Sequence, residues 1–187
     1  MNNLVILNHF YGYPALEDEF SNMQRYAKLL KLVDIIDSEN TIFLTNFIKG
    51  QDSKLESIRQ ISESYNHKWL DYKDNQSIEE IISAINEVYH VTISPETTNI
   101  VLGGTNTAGC LLRTSFVSAK EWASRNFNVH FCLSMCADYE LDGVNTAEKN
   151  QIASAIMYRF IKNNKLTNNI NVCYDPRELD IKENINR

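Results

Sequence analysis

Residues 101–114 read VLGGTNTAGCLLRT. An apolar β-type run meets two glycines, a short polar turn, and then a cysteine that opens a second apolar-periodic segment. The simplest reading is a strand turning sharply into a helix, with Thr107 as the helix N-cap and the glycines supplying backbone freedom. Working outward, the same alternation recurs along the whole chain. Upstream, LVILN (4–8) reads as a buried strand, 16–36 as a helix, TIFLTNFI (41–48) as a strand, 53–65 as an amphipathic helix and HKWLDYK (67–73) as a weaker strand. Ser77 followed by Glu80 is a capping-box pattern opening the helix SIEEIISAINEVY, and TTNIVLGG (97–104) is the strand that enters the glycine turn. Downstream, a helix is expected from Thr107 to about Arg125, a strand over 128–135, a helix over 146–163 and a closing strand over 168–173.

Such alternation predicts an α/β domain, a three-layer αβα sandwich around a mainly parallel sheet of about six strands. One domain is expected over residues 1–174, followed by a polar tail at 175–187. In sheets of this kind ligands bind beyond the carboxyl ends of the strands. The candidate site therefore gathers Asn8, Asn46, Lys73, the 103–110 turn and residues 134–138.

Bulk properties narrow the classes. The 187 residues are 43% hydrophobic and 22% charged with a formal net charge of −6. That balance argues against a broad nucleic-acid or anionic-membrane surface. No stretch reads as a signal peptide or a bilayer span, so a reduced cytoplasmic protein is expected. Cys132 and Cys136 are not a C-x-x-C pair, and His9, His67, His90 and His130 are scattered, so no metal site is expected. The last three histidines read as ordinary core or surface residues. The many asparagines read as compositional bias rather than chemistry.

The glycine turn carries three readings. Gly104-TNTA-Gly109 has P-loop glycine spacing, but the lysine and hydroxyl positions hold Cys110 and Leu111, so the motif fails where its phosphate chemistry lives. A plain turn would make Cys110 a small buried hydrophobe. A cysteine in the first turn of a helix, however, faces unpaired N–H groups and the positive end of the macrodipole. Both favour thiolate, and the same N–H groups can hold an oxyanion.

On the third reading the chain resembles the isochorismatase-like cysteine hydrolases. Their nucleophile turn runs Gly, two residues, Thr, two residues, Cys, with Thr again four residues later; Gly104, Thr107, Cys110 and Thr114 stand at that spacing. Their following strand ends in an Asp-Ala-Cys-Ala-like segment, where this chain has Ser134-Met-Cys-Ala within FNVHFCLSMCAD (127–138). Lysine, three residues, then a small residue before a helix is matched by Lys73-DNQ-Ser77. The resemblance implies a cofactor-free hydrolase that attacks a small amide or related C–N bond through an acyl-enzyme. Cys110 would be the nucleophile and Lys73 its charge partner, with the oxyanion held by backbone N–H groups near Asn106 and Cys110 beside Thr107 and Gly104. It also implies a homo-oligomer, and a cis peptide between Thr105 and Asn106. Phe10, Tyr13 and Trp69 are candidates for an aromatic wall around a planar substrate or ligand, and equally for core packing. Ser134 and Asp138 would line the pocket mouth.

One departure matters. The family's catalytic aspartate, at the end of the first strand, falls on Asn8, and an amide cannot accept a proton. The glutamine usual two residues later is Phe10, and NFIKGQDSKLE (46–56) lacks the histidines of the metal-binding members. Three readings stay open: a catalytically silent relative that binds a ligand or partner, a substitute base such as the adjacent His9, or a thiolate ionised by Lys73 and the helix terminus. His9 would lie on the opposite strand face from Asn8.

Overall fold

The computed structural model describes residues 2–8, 40–46, 68–72, 76–90, 92–105, 111–113, 117–137, 146–173 and 178. In chain order these form β1 (Asn2–Asn8), β2 (Asn40–Asn46), β3 (Lys68–Tyr72), α1 (Ile78–Tyr89), β4 (Thr98–Thr105), α2 (Ala119–Ser124), β5 (Asn128–Ala137), α3 (Thr146–Asn163) and β6 (Ile170–Cys173). The strands make one sheet in the order β3-β2-β1-β4-β5-β6, and every neighbouring pair is parallel. The expected helices over 16–36 and 53–65, and with them the second helical layer, lie outside the described residues. So does the tail, apart from Glu178.

Local chemistry accounts for the elements. Ser77 accepts from the Glu80 amide at 3.2 Å while Glu80 Oε2 accepts from the Ser77 amide at 2.7 Å, the reciprocal capping box expected for α1. At the other end His90 caps in the left-handed region, φ 54°, and its N–H donates to the Asn86 carbonyl. Ile78, Ile81 and Ile85 recur at helical spacing and are buried against Leu4, Ile6, Ile100 and Leu102. Full burial of such side chains is worth roughly 1.5–3 kcal/mol each. Trp122 of α2 and Met157 and Ile161 of α3 close over Val129, Phe131 and Ile170 in the same cluster, so all three described helices cover one face of the sheet. Phe127 meets Trp122 edge-on at a ring-centroid distance of 5.1 Å.

The long helix expected from Thr107 to about Arg125 is not continuous. Residues 111–113 wind as a π turn, and Ser118 is extended (φ −70°, ψ 161°) before α2 begins. Ser118 breaks the segment because its carbonyl starts a new helix, accepting from the Glu121 and Trp122 amides. The apolar periodicity carried no trace of this interruption, since Leu111, Leu112, Val117, Ala119 and Ala123 are buried on both sides of it.

The opposite sheet face corrects the reading of the asparagines. Val5, Val101 and Cys132 are fully buried there, as suits a parallel sheet. Near the amino ends of the strands an amide ladder crosses it. Asn171 Nδ2 donates to Asn128 Oδ1 (3.1 Å), Asn128 Nδ2 to Asn99 Oδ1 (3.0 Å), and Asn99 Nδ2 to Asn3 Oδ1 (3.3 Å). Asn128 Nδ2 also stands 3.1 Å from His130 Nε2, which must accept because the amide nitrogen only donates. Four strands are thus pinned in register by polar side chains whose groups would otherwise be desolvated without partners. Asn128→Ala removes the central rung and should cost about 1–3 kcal/mol in urea unfolding. Asn163→Ala, at an exposed position on α3, should cost less than about 0.5 kcal/mol; equal costs would return the ladder to mere composition.

Candidate active site

The strand order reverses between β1 and β4: the chain winds from β1 toward β3 on one side, and from β4 toward β6 on the other. In an open parallel sheet the crevice at such a reversal is where ligands bind, because the connections diverge and leave the carboxyl ends uncovered. Asn8, the last residue of β1, is in direct register with Gly104, the last residue but one of β4. Leu44 pairs with Asn8 from β2, Asn46 pairs with Tyr72 of β3, and Gly104 pairs with Cys136 of β5. One edge therefore carries Tyr72, Asn46, Asn8, Gly104 and Cys136 at the ends of neighbouring strands.

Gly104 is special within that row. Its φ is 129°, a backbone region that penalises any residue with a Cβ. Further along the chain, Leu111 and Leu112 are fully buried in the core.

The structure brings Asn8 and Gly104 together. Lys73, Asn106, Thr107 and Cys110 are outside the described residues. The same holds for Phe10 and Tyr13, for Asp138, and for the Thr105–Asn106 peptide expected to be cis. Trp69 sits mid-strand in β3, paired with Phe43. Among the described residues no group of three or more His, Cys, Asp or Glu is placed to hold a metal, and no helix is long and apolar enough to cross a membrane.

A second sulfur arrangement escaped the sequence. The β4–β5 register slips: Leu102 pairs with Phe131, but two residues later Gly104 pairs with Cys136. β5 thus carries extra residues opposite Leu102–Gly104, a bulge that follows directly on Cys132. Cys132 Sγ lies 3.5 Å from Ser134 Oγ, and Cys136 Sγ donates to the Cys132 carbonyl at 3.1 Å. Cys132 also pairs in register with Cys173, whose Sγ is 3.8 Å from the Phe131 carbonyl. A hydrogen bond from Cys173, then bonds from Ser134 and the Met135 amide, hold Cys132 below the ordinary thiol range against the opposing effect of burial. The same contact, with burial, pushes Cys173 up. Only strand register reveals this pair, since 41 positions of chain separate its members in a sequence that shows each as one more apolar-run cysteine.

Comparison with known proteins adds the fold. No family profile and no curated protein matches the chain. Among solved structures it is similar to the nicotinamidase SaPncA from Staphylococcus aureus, with a TM-score of 0.51 and 12% identity over 91% of this chain and 100% of that one. At that identity the likeness shows a shared α/β fold, a parallel sheet flanked by helices.

The Gly104 backbone gives a direct check on the edge. Gly104→Ala should destabilise by about 1–3 kcal/mol in chemical unfolding. A neutral substitution would mean that the strand end does not require the positive φ.

Proposed function

We propose that the protein is a cysteine-nucleophile hydrolase of the isochorismatase-like type, acting on a small amide or related C–N bond through an acyl-enzyme. The observation that carries the reading is the register of Asn8 with Gly104 at the reversal point of the sheet. It brings the first-strand position of the resemblance beside the start of the Gly-Thr-Cys turn. In this reading Cys110 attacks the amide carbonyl and the turn's N–H groups near Asn106 and Cys110 hold the oxyanion. Gly104 and Thr107 shape that turn, and Lys73 stabilises the thiolate. Attack forms the C–S bond and expels the amine with a proton; water then cleaves the thioester and releases the acid. No cofactor is needed for these steps. Phe10, Tyr13 and Trp69 would border a planar substrate, in a three-layer sandwich that assembles as a homo-oligomer.

A second reading is favoured by one residue. Asn8 can orient a thiol by hydrogen bonding but cannot accept its proton, so the scaffold would serve as a catalytically silent binding module. Ammonia release from nicotinamide and a panel of primary carboxamides separates the two. A hydrolase shows turnover that Cys110→Ala abolishes and Lys73→Ala sharply lowers. Asn8→Asp would raise turnover by up to about 10²–10⁴-fold, the usual contribution of a positioned base. Turnover that appears only in Asn8→Asp would refute the hydrolase and leave the binding module.

A further inference from the structure

We propose that Cys132 and Cys173 form a reversible redox pair, closing to a cross-strand disulfide that staples the edge strand β6 to β5. The inference is independent of any chemistry at Cys110. Direct register places the two residues on adjacent parallel strands. Neighbouring strands lie about 4.8 Å apart, inside the Cα separation of about 4.4–6.8 Å that a disulfide accepts. Both side chains project from the same sheet face, because paired residues in a parallel ladder share their orientation. Neither is in a disulfide in the structure. Cys173 is the last residue of a four-residue strand that, among the described residues, has a neighbour on one side only, so the small approach that bonding requires falls on that element.

The surroundings supply the asymmetry that thiol oxidation needs. The slip in β5 collects the Ser134 hydroxyl and the Ser134 and Met135 amides around Cys132, and Cys173 supplies a proton beside it. Cys132 is thus the sulfur that reacts as thiolate, and Cys173 the resolving thiol. With hydrogen peroxide as oxidant the step balances as follows. The Cys132 sulfur attacks one peroxide oxygen, the O–O bond breaks, and a sulfenic acid forms with loss of water. The Cys173 sulfur then displaces the sulfenic oxygen as a second water, forming the S–S bond. Two thiols lose two electrons and two protons, and the peroxide is reduced. Both residues are at most 7% exposed, so only an oxidant of about the size of water reaches them without unfolding, and bulky alkylating reagents react late.

Full-length protein is exposed to hydrogen peroxide, blocked with N-ethylmaleimide and digested without reduction. The expected main product is a peptide linking Cys132 to Cys173, reversed by dithiothreitol and formed equally in Cys110→Ser and Cys136→Ser. It should be lost in Cys132→Ser and Cys173→Ser. The oxidised wild type should melt at a higher temperature than the reduced form, a shift absent from either single variant; this comparison stands even where serine at a buried position weakens the fold. A dominant link from Cys136, irreversible sulfinic acid at Cys132, or two thiols that survive peroxide while others oxidise would overturn the proposal.

Discussion

The parallel ladder between β1 and β4 is the constraint on which the remaining architecture depends. It runs in unbroken register from Asn2 opposite Thr98 to Asn8 opposite Gly104. β1 is thereby enclosed by β2 and β4, which leaves Leu4, Val5 and Ile6 almost without solvent contact. One face of this central pair receives the isoleucines of α1; the other carries the first rungs of the amide ladder through Asn3 and Asn99. Because a one-residue slip would exchange the two faces, polar rungs on one side and an isoleucine-packed core on the other both hold the register. The same register fixes which residues meet at the sheet's reversal point.

Much of this is legible in the sequence. Apolar runs at β1, β4 and β5 separated by helical periodicity give the α/β class. Ser77 and Glu80 mark the start of α1 to the residue, since a capping box is a short-range interaction with a fixed spacing. The reading failed where the cause was not local. The break at Ser118 hides in a segment whose apolar residues are buried on both sides of it. Asn3, Asn99, Asn128 and Asn171 look like scattered polar residues until strand pairing lines them up. The Cys132–Cys173 pair and the slip in β5 depend on the same long-range pairing. Of the candidate site, the position of Asn8 and Gly104 near the carboxyl ends of their strands followed from the α/β pattern; that the two strands are neighbours, and the left-handed backbone at Gly104, needed the structure.

In the proposed hydrolase the chemistry of the edge turns on Asn8, which stands where the resemblance expects a carboxylate. A carboxylate there would supply both charge and a proton acceptor; the amide of Asn8 supplies neither, though it keeps the size and hydrogen-bonding shape. In the proposed hydrolase, thiolate formation at Cys110 then falls to Lys73 and to the N–H groups of the turn, which stabilise the ionised form without taking its proton. The sheet shows how far such an arrangement reaches elsewhere. At Cys132, neighbouring hydrogen bonds from Cys173, Ser134 and the Met135 amide outweigh burial and favour the charged sulfur.

The most direct measurement is the rate of iodoacetamide alkylation at Cys110 as a function of pH, read by peptide mass spectrometry on the native protein alongside Lys73→Ala. The account predicts an inflection well below the ordinary thiol value of about 8.5, moving upward when the lysine is removed. An inflection at the ordinary value, unchanged in Lys73→Ala, would contradict it, because Cys110 would then be no activated nucleophile.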